Sequence, residues 1–289
     1  MRSSPLAGRT VVVTGAARGL GAAMAREIAR RSARVALLGH EKAALDTVAA
    51  SLPGPALAVE VDVTDPAALT AAAAAVRAGL GPPSAVVANA GIAEGGLFLA
   101  SDPAAWSRVI DVNLTGSANT ARAFLPDLLD TAGYFLQIAS LASLGAAPLM
   151  SAYCASKAGA EAFAHALRAE VAHRGVAVGI GYLNWTDTDM IRDADRYAVL
   201  RELRTHMPPP ARRVYPVETV AARLVTGLER RRTTVYAPAW LRLAQPVRAA
   251  RRVSRRALPR LEAEEPVQYT GPLGAGGLAD RAARAPGEK

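Results

Sequence analysis

The chain has 289 residues, 51% of them hydrophobic and 5% aromatic, which is enough for one large core with a modest tail left over. A single cysteine, Cys154, excludes an internal disulfide framework, and no stretch approaches the roughly 20 apolar residues needed to span a bilayer. The net charge of +9 is uneven, because the stretch from Ala239 to Lys289 carries ten Lys/Arg against five Asp/Glu and leaves the body only mildly basic.

Strand and helix signals alternate along the chain. Thr10 to Val13 reads as a short buried strand, followed by a helix from about Leu20 to Arg31. Arg34 to Leu38 is a second apolar strand, and a helix from about Lys42 to Ser51 stops at Pro53-Gly54-Pro55. Leu57 to Val61 is the third strand. Asp65 then suits an N-cap and Pro66 a first helical residue, opening an alanine-rich helix to about Ala78. Ala85 to Ala88 is strand four. One long helical region, about Ala104 to Leu129, precedes strand five at Tyr134 to Ile138. A helix from Ala152 to His173 leads to strand six, Val176 to Tyr182. An irregular helical stretch (188–206), a helix from Val217 to Glu229 and a last strand at Thr234 to Tyr236 complete the pattern. Such alternation predicts an α/β fold of the Rossmann type: a doubly wound parallel sheet of about seven strands, helices on both faces, and right-handed crossovers. Residues 1–238 form the expected dinucleotide-binding catalytic domain and 239–289 a basic, partly helical extension. Gly271 to Gly277 and the last six residues read as disordered.

Two motifs carry chemistry. Gly15, Gly19 and Gly21 stand where the first strand hands over to a helix, with Ala17, Arg18 and Leu20 between them. A tight turn, close backbone approach to a pyrophosphate and close helix packing all require glycine there, and the helix N-terminus adds free N–H groups. At the end of the second strand, where an acid would bond an adenosine ribose, the chain has Gly39-His40. With Arg18 and His40 as donors for a 2′-phosphate, NADP(H) is expected before NAD(H); Glu41 is the residue that argues the other way. The second motif is Tyr153 and Lys157, four apart on one helix face, with Ser140 at the carboxyl end of strand five. An adjacent ammonium favours the phenolate and so lowers the tyrosine pKa from about 10. The phenol can then exchange a proton with a reacting oxygen that Ser140 holds.

Thr14-Gly15-x-x-x-Gly19-x-Gly21, Asn89-Ala90-Gly91, Asn113 in Asp-Val-Asn-Leu-Thr-Gly, Ser140 and Tyr153-x-x-x-Lys157 together resemble the short-chain dehydrogenase/reductase family, across residues 9–238. The resemblance implies that Asn113, Ser140, Tyr153 and Lys157 are catalytic, Asn113 by holding a proton-relay water near the lysine. It also implies cofactor contacts from Asn89, Ala90, Gly91, Asp62, Val63 and Thr188, and a homo-oligomer, dimer or tetramer, through the long helices near 104–129 and 152–173. No metal is implied. The chain departs from the family after strand six, where Leu183-Asn184 replaces the usual Pro-Gly.

The activity expected is hydride transfer between NADP(H) and a secondary alcohol or ketone. A hydrophobic substrate suits the residues expected at the cleft: Leu141, Ala142, Leu144, Leu149, Met150, Trp185, Met190, Ile191 and Tyr197. Cys154 turns about 100° from Tyr153 and reads as a packed small residue. From Pro246 to Pro259, apolar residues recur at near-helical spacing among arginines. That segment reads first as a solvated extension or one folded on a second subunit, then as a weak contact with an anionic membrane surface, and last as a nucleic-acid contact. The protein is expected in the cytoplasm, with that membrane contact as its peripheral alternative; the start, Met1-Arg2-Ser3-Ser4-Pro5, lacks the apolar core of a signal peptide. The contrasting functional reading is a catalytically dispensable NADP-binding sensor or scaffold that docks through the basic tail. An epimerase or dehydratase on the same fold is disfavoured by the glycine spacing.

Overall fold

The computed structural model of the chain describes residues 4–244 and 272–273. In chain order its elements are β1 (Thr10–Thr14), α1 (Gly19–Ala29), β2 (Arg34–Gly39), α2 (Lys42–Ala50), β3 (Ala56–Glu60), α3 (Pro66–Leu80), β4 (Pro83–Ala88), β5 (Ala93–Glu94), α4 (Pro103–Ile110), α5 (Gly116–Asp130), β6 (Tyr134–Ile138), α6 (Leu141–Leu144), α7 (Ser151–Val171), β7 (Ala177–Leu183), α8 (Asp189–Ala194), α9 (Ala198–Thr205), α10 (Val217–Glu229), β8 (Thr234–Ala237) and β9 (Pro272–Leu273). Seven strands form one parallel sheet in the order β3-β2-β1-β4-β6-β7-β8. The expected Rossmann-type α/β sheet is therefore present.

Side chains alternate across the sheet with the two-residue strand period. Val12, Ala36, Leu38, Val86 and Phe135 enter the core under α3, α5 and α7, beside Leu69, Phe124 and Leu167. Val11, Val13, Val35, Leu37 and Leu136 enter the opposite core under α1 and α10, beside Met24, Ile28 and Leu224. Burial on both faces is why these strands read as unbroken apolar runs. The strand order reverses between β1 and β4, so the carboxyl ends of those two strands open a crevice.

Two local departures from the sequence reading and one refinement of it bear on the site. The single helix expected over 104–129 is two helices joined by a π turn at Asp111–Thr115, where the Gly116 N–H reaches back five residues to the Asp111 carbonyl. Gly116 packs directly on Val63, since a Cβ there would lie 2.5 Å from Val63 Cγ2. The irregular helical stretch over 188–206 resolves into α8, whose first turn lines the crevice, and α9, whose Leu200 packs in the apolar cluster with Tyr153; together they form a cap at that end. Within 271–277, Pro272–Leu273 pair antiparallel with β5 instead of being disordered. The other residues of that segment, and the basic segment Pro246–Pro259, lie outside the described residues. No helix among the described residues is long and apolar enough to cross a membrane.

Candidate active site

The crevice encloses about 1290 Å³, open solvent at its mouth included. One end is a backbone cradle. Gly15 and Gly19 have φ of +64° and +50°, and a Cβ on Gly21 would lie 2.1 Å from the Gly15 carbonyl oxygen. Ala17, Arg18 and Leu20 complete the lining of this end. Asn89 stitches the cradle to β4: its Nδ2 donates to the Thr14 and Gly15 carbonyls at 2.9 and 3.3 Å. The Asn89 and Ala90 N–H groups both donate to Thr14 Oγ1, at 3.0 and 3.1 Å. No side chain caps the start of α1 and no acid lies in its first turn, so its amide donors and positive dipole end face the crevice. These features fit a dinucleotide pyrophosphate.

The adenosine end is bounded by Gly39, His40, Asp62 and Val63. A Cβ on Gly39 would make only ordinary contacts, 3.6 Å from Leu45, so space does not dictate this glycine. Arg18, expected as a donor for a 2′-phosphate, is paired with the Glu41 carboxylate. Asp62 is also engaged: Thr64 donates to Oδ1 through N–H and hydroxyl at 2.9 and 2.8 Å, and Arg108 donates to Oδ2 at 2.7 Å. Burial raises its pKa, but these hydrogen bonds outweigh burial and hold the carboxyl below its ordinary value.

At the other end, Ser140, Tyr153, Lys157 and Thr188 converge with Gly91. The Ser140 hydroxyl hydrogen-bonds the Tyr153 phenol and accepts the Ala142 N–H at 3.1 Å, capping α6. Lys157 Nζ lies 5.8 Å from the Tyr153 ring centroid and donates to the Ile138 carbonyl at 3.3 Å. Gly91 admits this approach, for a Cβ there would sit 3.3 Å from Nζ and 3.1 Å from Asn113 Oδ1. The electrostatics run opposite to the sequence expectation. Burial pushes the phenol up to about 12, the Ser140 hydrogen bond opposing it and Cys154 adding to it. Burial also pulls Lys157 down to about 8. Desolvation disfavours both charged forms, and the ammonium does not overcome it at this separation.

Asn113 is fully buried behind the crevice wall and does not line it. The Ile92 N–H donates to its Oδ1 at 2.8 Å, while its Nδ2 donates to the Ile92 carbonyl and Ser156 Oγ, both at 2.9 Å. The Asn113 carbonyl accepts the Ser117 hydroxyl at 2.8 Å. The π turn therefore fixes the segment after Gly91. Cys154 is buried, and burial pushes its thiol up, with the Ala147 N–H opposing.

Met190 and Ile191 line the crevice as expected, and Met150, Tyr197, Val199 and Leu203 form an apolar cluster with Ala93, Ala194, Leu200 and Tyr153. Leu144 belongs instead to the main core. Trp185 points to Met207, its Nε1 donating to Sδ at 3.3 Å. Sequence reasoning missed Ile92, Ile138, Ala139, Asn184 and Thr186 in the lining. Only their adjacency to named motifs could have signalled them. Among the described residues no three metal-ligating side chains gather.

The chain is 31% identical over 204 residues to nodulation protein G of Rhizobium sp. (strain N33), covering 69% of this chain and 83% of that protein. It is 31% identical over 196 residues to carbonyl reductase family member 4 of Danio rerio, covering 68% and 83%. It is 34% identical over 150 residues to meso-2,3-butanediol dehydrogenase of Serratia marcescens, covering 52% and 60%. The short chain dehydrogenase family matches residues 9–197, which hold the cradle, Asn113, Ser140, Tyr153, Lys157 and Thr188, and the chain belongs to that family of NAD(P)(H)-dependent oxidoreductases.

Proposed function

We propose that the protein is an NADP(H)-dependent oxidoreductase interconverting a hydrophobic ketone and the corresponding secondary alcohol, with Tyr153 as acid and base. The observation that carries this reading is the Ser140–Tyr153 hydrogen bond beside Lys157, at the far end of the crevice from the glycine cradle. A bound nicotinamide dinucleotide supplies or accepts the hydride. Ser140 orients the carbonyl oxygen, Tyr153 donates its phenolic proton to that oxygen as the carbonyl carbon is reduced, and Lys157 supports the phenolate left behind. The high phenol pKa suits proton donation, the direction of ketone reduction. In alcohol oxidation the same phenolate takes the hydroxyl proton. Thr188 holds the nicotinamide end and Asn113 positions the segment beside it.

NADP(H) preference is supported by Gly39 in the place of an acid, with His40 and Arg18 adjacent. A 2′-phosphate competes with Glu41 for the Arg18 guanidinium. The apolar cluster at Tyr153 supports a hydrophobic substrate, and the names of two relatives, a carbonyl reductase and a butanediol dehydrogenase, agree with CH–OH/carbonyl chemistry. A cytoplasmic homo-oligomer through α4–α5 and α7, with a weak membrane-surface contact of the basic tail as its peripheral alternative, completes the proposal. The test is the absorbance of NADPH and NADH, followed separately against a panel of apolar ketones. Faster oxidation of NADPH is expected; faster turnover with NADH overturns the cofactor assignment, and no turnover with either overturns the enzymatic one.

A further inference from the structure

Asn184 stands where the family resemblance leads one to expect glycine, and it is 7% exposed. It lies just past β7, at the root of the cap made by α8 and α9. Two stems join that cap to the body: residues 183–188 leaving β7 and residues 207–216 returning to α10. Backbone bonds link the stems, since the Tyr215 N–H donates to the Trp185 carbonyl and the Asp187 N–H to the Tyr215 carbonyl, each at 2.9 Å. Asn184 adds a side-chain tie. Its Nδ2 donates to the Ala211 carbonyl at 3.0 Å and to the Arg213 carbonyl at 3.1 Å. A primary amide has two such hydrogens, and both are used. Its own N–H donates to the Ala237 carbonyl at 3.3 Å, which anchors the tie to β8.

The orientation of this amide follows from its partners. Two carbonyl oxygens face one end, so that end must be the NH₂ group; turning it would set Oδ1 against both. Oδ1 is buried and takes no hydrogen bond within the described residues, an arrangement that costs free energy. Asn184 also lines the crevice between Leu183 and Thr186, beside the Thr188 expected to meet the nicotinamide. The cap in turn carries Met190, Tyr197 and Leu200, which pack with Tyr153 in the apolar cluster.

We propose that Asn184 is a positioning residue: it clamps the two stems together and so fixes the apolar cap over the substrate end of the crevice. This rests on the oxidoreductase reading for its consequence in turnover, though the clamp itself does not. A glycine at 184 removes both side-chain bonds and frees the cap to open. Its effect falls on substrate binding and, through Thr188 at the end of the first stem, more weakly on the nicotinamide end, because the glycine cradle, Ser140, Tyr153 and Lys157 sit on other elements.

The experiment compares the wild-type chain with Asn184→Gly and Asn184→Asp by amide hydrogen exchange, cofactor binding and steady-state kinetics. The aspartate keeps the shape but cannot donate to the two carbonyls. Both variants are expected to speed exchange across 185–216 at least tenfold, with β1, β4 and β6 unchanged. KM for an apolar ketone should rise about tenfold, with kcat within about twofold and any loss of NADPH affinity, through Thr188, smaller than the rise in KM. Unchanged exchange in the glycine variant overturns the clamp, and wild-type behaviour of the aspartate variant reduces Asn184 to a space filler and overturns it equally. Faster exchange with an unaltered KM overturns its role in positioning. If the wild type reduces no ketone at all, the function proposed above fails while the exchange data still decide the clamp.

Discussion

The two ends of the crevice are built by different means. The cradle end is made of backbone: positive-φ glycines, uncapped amides at the start of α1, and Asn89 bonded to main-chain carbonyls. The substrate end is made of side chains brought from distant segments, with Ala93, Met150, Met190 and Leu200 meeting at Tyr153. Backbone recognition tolerates little substitution and serves any dinucleotide. Side-chain recognition can be changed residue by residue, and it sets which carbonyl compound fits.

The difference predicts which changes hurt most. Tyr153→Phe removes the proposed proton donor but not the pocket. We expect carbonyl reduction to fall roughly 10²–10⁴-fold while NADPH still binds, as fluorescence of the bound dinucleotide would report. Gly21→Ala strikes the other end. Its Cβ would collide with the Gly15 carbonyl, and overpacking of about 1–3 kcal/mol corresponds to roughly 5- to 150-fold weaker binding of NADPH and NADH alike. An equal loss for both dinucleotides marks a backbone site; a loss confined to one would blur the contrast.

Gly39→Asp sharpens it further. The position admits a side chain, so the fold should survive. The new carboxylate faces the ribose, and the NADPH-to-NADH ratio of kcat/KM should drop about tenfold, a difference of about 1.4 kcal/mol. The pH dependence is gentler. In the proposed mechanism ketone reduction uses the Tyr153 phenol and the Lys157 ammonium, both protonated below about pH 8. Then kcat/KM should be flat below that pH and decline above it as Lys157 loses its proton. The same lowered pKa means that burying the charged lysine opposes folding below about pH 8, a cost relieved as pH rises toward the unfolded value of about 10.4. A Lys157→Met variant that kept the alkaline limb would assign it elsewhere.

The cradle was legible because its requirements are local. Gly15, Gly19 and Gly21 answer to one turn, and Asp65 caps α3 from its own loop, bonding the Ala67 and Ala68 N–H groups. The strands were legible because burial on both faces leaves continuous apolar runs. The π turn at Asn113 was not, since it depends on Ile92 and Ser156, 21 and 43 residues away. Nor was the sign of the Tyr153 shift. Spacing placed a cation on the same helix face, but only packing shows that desolvation outweighs it. The Arg18–Glu41 pair is a third case, for it joins two loops that the sequence holds 23 residues apart.

The central claim is that hydride passes between a dinucleotide in this crevice and a carbonyl carbon beside Tyr153. NADPH deuterated at the transferable C4 position, incubated with the protein and an apolar ketone, tests it directly. Mass spectrometry should find one deuterium on the carbinol carbon of the product alcohol, and none with Tyr153→Phe over the same interval. Bound NADPH with an unlabelled, unreduced ketone across the panel would contradict the account.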